Sequence, residues 1–553
     1  MTIQRCVRGR APLSAGRRCF EGKDAKAQRR RENLRRVPVA MVDLRRANNS
    51  KGNQSARRLC VFASLPSIPW VQVCLITLLF TFSGCTVGPN YRRPAAAGTN
   101  ALPSTFTRSS STNGSEWKAA EPSAHLPRGA WWTIFNDEEL NRLENRANAN
   151  NQQVAGAVAR FNQARALVNV ARADFFPHLT AAPAYTRERT SANQSDRGVP
   201  ASVGHNFNDF SIPLDATWEL DLWGRVRRSV EAARARLGAS ADEIGAINLS
   251  IQAELAIDYF TLRLFDAQLA ILQQSVAAFR RSLGLTRNRR AGGIVSDLDV
   301  AQAETQVRSA EAQIPAVDLQ RTKLRHALAA LCGRPATGFE IKPTKTDLVE
   351  VPGVPLSLPS ELLERRPDVS AAERRMMAAN AGVGVAQTAF YPRLVFSGSA
   401  GYRSINVSTL FDWPSRFWAL GPSLEIPLFT GGQNRARLAA ARAAYDETVA
   451  NYRQTVLTAF QEVEDQLASQ RLLVAQIEAE TGALTAARRT LEIANNRYQA
   501  GLVTYLEVAT AQTAALDREL TVGRLQAERL AATASLAKAM GGGWSPRDRS
   551  TAR

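Results

Sequence analysis

Among the side chains that usually carry chemistry, histidine is sparse and scattered. His125, His178, His205 and His326 stand far apart, which gives a metal cluster or a catalytic triad no support. Neither a G-x-x-x-x-G-K-[ST] phosphate loop nor an H-E-x-x-H pair occurs. Adjacent carboxylates such as Glu464-Asp465 lie in a long helical stretch, where a solvated or inter-helix ionic role is expected. These absences point away from an enzyme. Cysteine is informative through its position: Cys6, Cys19, Cys60, Cys74 and Cys85 fall at or before 85, and only Cys332 lies beyond. That distribution excludes a disulfide scaffold and a four-thiolate zinc site from the main body. Cys332, at an apolar helix end, reads as core. Cys85 is different. It follows Ser83-Gly84, which follow the apolar run 71–80 and the basic pair Arg57-Arg58. Basic flank, short apolar run and small residues define a secretory signal, and the run is shorter than the ~20 apolar residues that span a bilayer. A buried helix ending in Cys is the alternative.

Phe82-Ser83-Gly84-Cys85 resembles the bacterial lipobox. The resemblance implies that Cys85 becomes the first mature residue and carries diacylglycerol and an N-acyl chain; no cofactor is expected. Each buried acyl methylene contributes about 0.8 kcal/mol, so several chains anchor stably. Thr86 stands where an Asp would signal inner-membrane retention, which implies delivery to the outer membrane. The net charge of +20 divides accordingly. Residues 1–84 hold 17 Lys+Arg against 4 Asp+Glu, leaving 53 against 46 for the remaining 469 residues. The basic excess thus belongs to the exported leader, and nucleic acid is not expected as a partner. Residues 1–58 show no apolar periodicity and cannot bury enough surface to fold alone. Met41 would give a more ordinary signal, with residues 1–40 outside the translated protein.

The rest of the chain repeats itself. An offset of 208 carries Gly224, Arg227, Glu254, Gly293, Val295, Leu298 and Gly333 onto Gly432, Arg435, Glu462, Gly501, Val503, Leu506 and Gly541. Upstream the offset is 215, carrying Val154, Arg160, Phe175 and Pro177 onto Val369, Arg375, Phe390 and Pro392. The change must be absorbed in a loop between Pro177 and Gly224. The expected organisation is a removed leader (1–84), an anchor and first repeat (85–333), a Pro-rich connector (334–366), a second repeat (367–543) and a short tail (544–553).

Each repeat combines short alternating segments with long helical ones. Phe210, Ile212, Leu214, Ala216, Trp218 and Leu220 alternate with polar residues, and Trp418, Leu420, Pro422, Leu424, Ile426 and Leu428 share that phase. Period two with one apolar face predicts strands, with 179–187 and 394–403 as hairpin partners. A soluble sandwich would alternate in the same way. In a secreted, lipid-anchored chain, outward apolar strands favour a membrane barrel, and four strands cannot close one. Several chains must then contribute. The Pro-free stretches 226–290 and 432–497 keep three/four apolar spacing and predict helices about 90 Å long; coiled coil is the simplest packing. Both end in matching turns. Gly293 and Gly501 suit a left-handed C-cap. Ser296 with Asp299, and Thr504 with Glu507, have capping-box spacing, while Val295 with Val300 and Val503 with Val508 have that of the hydrophobic staple.

Taken together, these residues resemble the TolC family of outer-membrane efflux lipoproteins, of the OprM/NodT type. Four stretches carry the likeness: 85–94 (CTVGPNYRRP), 218–225 (WELDLWGR), 358–368 (LPSELLERRPD) and 427–432 (PLFTGG). It covers essentially all of 85–543. The implied fold is mainly α with membrane β. In a homotrimer, four strands per chain would build a twelve-stranded outer-membrane barrel above a long periplasmic α-barrel. The resemblance implies a passive exit duct for drugs, toxic compounds or metals, sited in the outer membrane and its lipid. The tips, with Gly293, Val295, Ser296, Asp297, Gly501, Val503 and Thr504, would meet a periplasmic membrane fusion (adaptor) protein, which couples to an inner-membrane pump, commonly of the resistance-nodulation-division (RND) class. Arg497 and Tyr498 match the Arg-Tyr pair of the family's closed tip. Glu507 sits where some members hold a constricting carboxylate, so gating and helix capping both stand for it. At Thr510 other members carry Asp, which weakens or displaces the charge ring. A duct for type I protein secretion and a non-channel coiled-coil scaffold remain as alternatives.

Overall fold

A computed structural model of the chain describes residues 86–95, 130–189, 191, 206–342 and 366–542. Cys85 and the leader, loop 193–198, residues 343–365 of the connector and the tail lie outside the described residues. The first repeat comprises α1 (Glu138–Asn150), α2 (Gln152–Ala173), β1 (His178–Ala181), β2 (Ala184–Arg189), β3 (Asn206–Leu220), α3 (Arg225–Ala291) and α4 (Asp297–Leu331). The second comprises α5 (Pro367–Thr388), β4 (Arg393–Ser404), β5 (Arg416–Glu425), α6 (Gln433–Gln499) and α7 (Tyr505–Ala539).

Helix lengths repeat with the sequence: α2 and α5 have 22 residues each, α3 and α6 have 67, and α4 and α7 have 35. At 1.5 Å per residue the longest pair extend about 100 Å. Glycines at equivalent places bound them. Gly224 and Gly432 adopt φ of 86° and 85° before the long helices, and Gly293 and Gly501 adopt 73° and 76° after them. One tertiary contact is also duplicated. The N-cap of α2, Asn151, donates through Nδ2 to the carbonyl of Leu331, the last residue of α4 (2.9 Å). The N-cap of α5, Arg366, donates through Nη1 to Ala539, the last residue of α7 (3.1 Å). The partners differ in type and coincide in position.

The strands form one sheet with the order β1/β2, β3, β4, β5, all antiparallel. The two expected hairpins are thus joined through β3 and β4. The first strand is interrupted at Ala182-Pro183, although Ala182 N–H still reaches the carbonyl of Pro213 (3.3 Å). The last strand stops at Glu425, earlier than the alternation suggests, because β4 begins at its partner Arg393. The expected faces separate: Phe210, Ile212, Leu214, Trp218, Leu394, Phe396, Trp418 and Leu420 share one side. The other carries Asp209 paired with Arg403 (2.8 Å) and Glu219 held between Arg225 and Arg393 (2.7 and 2.9 Å). Among the described residues, no helix is long and apolar enough to cross a membrane.

Residues 86–95 strap the sheet–helix junction to α5. Val87 N–H donates to Trp223 O (2.9 Å), Arg228 Nη2 to Gly88 O and Asn90 Oδ1 (3.2 and 2.9 Å), and Tyr91 and Arg93 converge on Glu373. At Gly88 (φ 104°) a Cβ would stand 2.5 Å from Gly384 Cα, so only glycine allows this approach.

The principal apolar cluster lies about the middle of α3, where Trp131, Phe135, Leu140 and Leu143 meet Tyr259, Phe260, Leu328 and Leu530. Cys332 is buried in it with a free thiol, pushed up to about 11 by burial. Beside it, Glu144 is fully buried, and neither carboxylate oxygen has a hydrogen-bond partner among the described residues. Burial pushes its pKa from 4.5 up to about 9. The folded chain therefore keeps the proton that the unfolded chain loses above 4.5, and stability declines as pH rises toward 9. Glu144→Gln is expected to flatten this decline, its thermal midpoint gaining on the parent's from about pH 5 to about pH 9 when followed by circular dichroism.

Candidate functional site

The two helix turns form a single built structure at the tips. In the first, Gly292, Gly293 and Ile294 N–H groups take up carbonyls at the end of α3, and the second repeats this with Ala500, Gly501 and Leu502 at the end of α6. Ser296 forms the expected capping box: its Oγ accepts from Asp299 N–H (3.3 Å) and Asp299 Oδ2 accepts from Ser296 N–H (3.0 Å). Thr504 makes no side-chain cap. The expected pairing of Thr504 with Glu507 is absent, and the start of this helix is held by a contact from the other turn. Asp299 Oδ1 accepts from Tyr505 N–H (3.3 Å), so one carboxylate caps the first helix and braces the start of the second. Glu507 is exposed, with no side-chain partner among the described residues.

Tyr498 is the second link between the turns. Its ring is buried, its hydroxyl lies 3.1 Å from Thr286 Oγ1, and it meets Tyr505 edge-on at 5.6 Å. Arg289 donates to the Tyr498 carbonyl and lies over its ring, 4.9 Å from the centroid. Burial, reinforced by Tyr498, pushes the Tyr505 phenol up to about 12, so that ring stays neutral. Arg497, one residue from Tyr498 and so about 100° round the helix, is exposed and makes no ion pair among the described residues. Asp297 pairs with Arg290 (2.6 Å), and that hydrogen bond holds its carboxyl below the usual range.

Gly293, Ser296, Asp297, Gly501 and Thr504 are exposed, whereas Val295 and Val503 are half-buried, with Val503 turned onto the cluster under the tip. The apolar residues presented outward are Ile294 (65%), Leu298 (66%), Leu502 (70%) and Leu506 (53%). The 208-residue offset relates them pairwise, a signal that the turn glycines overshadowed. Thr286 escaped the sequence reading because nothing local distinguishes it from other helical polar residues, whereas Arg289 is the counterpart of Arg497 at the 208-residue offset. No metal-holding group of His, Cys, Asp or Glu exists among the described residues.

The profile of the "Outer membrane efflux protein" family matches residues 143–334 and 358–542. The chain belongs to this family. It is 32% identical over 482 residues to the outer membrane protein OprJ of Pseudomonas aeruginosa, covering 86% of this chain and 96% of that protein. To the cation efflux system protein CusC of Escherichia coli it is 30% identical over 462 residues, covering 84% and 96%. Its fold matches the outer-membrane channel OprN with a TM-score of 0.75 at 29% identity, covering 84% of this chain and all of that one. The chain is thus a TolC-like outer-membrane channel component of an efflux system.

Asp299→Ala should release N–H groups at both turns, costing about 1 kcal/mol of local stability. Hydrogen exchange at Ser296 and Tyr505 is expected to accelerate together, with Glu507→Gln leaving both rates unchanged.

Proposed function

We propose that three copies of this chain close a twelve-stranded barrel in the outer membrane, continued by an α-barrel of the long helices, as the passive exit duct of a tripartite efflux system. The observation that carries the reading is the sheet itself: four strands, with β1 and β2 counted as one interrupted strand, an apolar outer face and two edges unpaired among the described residues, which lipid does not tolerate unless other chains complete it. The charged face, with Asp209, Arg403 and Glu219, then lines a watery lumen. Energy comes from an inner-membrane pump, of the RND class, through a periplasmic adaptor that receives the exposed tips. The adaptor surface comprises Gly293, Val295, Ser296, Asp297, Gly501, Val503 and Thr504, to which the exposed geometry adds Ile294, Leu298, Leu502 and Leu506. The cargo is small molecules, drugs, toxic compounds or metals; the likeness to a cation efflux protein supports this class over polypeptides.

Cys85 carries the lipid. Thr86 packs against Gly224, where an added Cβ would meet Thr86 Cγ2 at 2.8 Å. This is the boundary between strand and helix, so acyl chains on the preceding residue would stand level with the inner leaflet. Radiolabelled palmitate should enter the parent protein and be lost in Cys85→Ser; equal labelling of both would refute the anchor.

At the closed tip, Arg497 and Glu507 face away from their own chain's hydrogen bonds and are free to meet other copies around the axis, while Tyr498 holds the two turns together. Arg497→Ala and Tyr498→Ala are each expected to raise single-channel conductance in planar bilayers severalfold. Unchanged conductance in both would reject this account of closure.

A further inference from the structure

The two faces of the sheet differ in the sign of their charges as well as in polarity. The described strands hold five carboxylates, Glu188, Asp209, Asp215, Glu219 and Glu425, and cross-strand pairing puts all of them on the charged face. Arg393 and Arg403 share that face and pair with Glu219 and Asp209. The apolar face carries Arg187, Arg189 and Arg416 and no carboxylate. All three are exposed, and none makes an ion pair among the described residues.

Their position along the strands is as selective as their sign. β3 ends at Leu220 and β5 at Glu425, each leading into a long helix, so Arg189 and Arg416 mark the opposite, loop end. Arg187 lies two residues from it. The helix end of the same face is uncharged, with Leu179, Leu220, Leu394 and Leu424.

The repeat puts the arginines of the two hairpins at one level. Offsets of 215 and 208 carry the pair Arg187↔Asn208 onto Tyr402↔Arg416. Each hairpin holds one arginine in this pair, on its first strand in one case and its second in the other. The next pair toward the helices on this face is Tyr185↔Phe210, which corresponds to Ala400↔Trp418. An aromatic row therefore underlies the arginine row. The Tyr185 and Phe210 ring centroids are 4.7 Å apart, and Trp418 is 80% exposed. An apolar band that ends in aromatic and then long cationic side chains fits the boundary of a bilayer.

We infer that Arg187, Arg189 and Arg416 form a binding band for a phosphate-bearing glycolipid of the outer leaflet, each guanidinium donating to phosphate oxygens. This rests on the reading of the sheet as part of an outer-membrane barrel, whose loop end then faces the cell surface. Solvation by water alone would suit carboxylates as well as arginines, at either end of the face. Phospholipid would offer phosphate at both ends, yet the helix end carries no cation. The one-sided band fits a leaflet richer in phosphate than its partner. Arg187 and Arg189, two residues apart on one strand, stand about 7 Å apart, a spacing that a single phosphorylated headgroup can bridge.

Purified lipopolysaccharide, titrated against the full-length protein in detergent, should bind the triple variant Arg187→Gln, Arg189→Gln, Arg416→Gln about a hundredfold more weakly than the parent. A control triple, Arg281→Gln, Arg471→Gln and Arg489→Gln, makes the same charge change at exposed helix positions and should leave the affinity unaltered. Lipopolysaccharide stripped of its phosphates should bind the parent as weakly as the intact lipid binds the triple variant. Equal affinity of parent and triple variant, both trimeric by light scattering, would overturn the band alone; a monomeric parent would remove the barrel reading beneath it. An equal loss in the control triple would reduce the effect to net charge and overturn the assignment. Phosphatidylglycerol micelles bound by the parent as tightly as lipopolysaccharide would overturn the choice of glycolipid. Should the triple variant fail to assemble, Arg416→Gln alone is expected to lose about fivefold and Arg416→Lys less, and an unchanged affinity in the glutamine variant would count against the band.

Discussion

In lipid a backbone N–H or C=O can find its partner only within protein, and a sheet of this size cannot meet that requirement alone. Among the described residues, β3 and β4 are paired on both sides, whereas β1/β2 and β5 are paired on one. Much of the chain's anatomy follows from this mismatch. Bare leucines at both edges and a thinly covered α2 accompany it.

The tips rest on a second economy. Two turns with nearly the same sequence do not cap themselves in the same way, because Asp299 serves both. Tyr498 joins them from the other side through Thr286 and Arg289. The result is a rigid base from which Arg497 and Glu507 project without partners of their own among the described residues. Residues that hold the tip and residues left exposed on it are therefore distinct, although they share the same few positions.

Much of this was legible in the sequence, and what was not has physical causes. Pro-free Ala-rich stretches with apolar spacing marked both 67-residue helices to within a residue or two. Alternation at Phe210 to Leu220 marked the lipid-facing side, but could not show where pairing ends. Ile426 and Leu428 keep the phase beyond Glu425, where β4 offers no further partner. Spacing predicted two capping boxes and only Ser296 formed one; the acceptor that does hold the second helix start, Asp299 on Tyr505 N–H, comes from 206 residues away and no local pattern shows it. The strap of residues 86–95 has no periodicity at all; it is held by Glu373, Arg228 and Gly384, contacts that only the fold assembles.

The equal lengths of the paired helices have an evolutionary consequence. Deleting one residue from α3 or α6 would draw that tip back by 1.5 Å and turn it by about 100°, parting Asp299 from Tyr505 and Arg289 from Tyr498. Such helices act as matched gauges, and insertions or deletions in one are tolerable only if the other changes in step. The two halves do differ in length, and the offset changes from 215 to 208 only among the strands and their outer loop. Length can therefore change at the loop end of the sheet, whereas the reach of the two long helices can change only in steps taken by both.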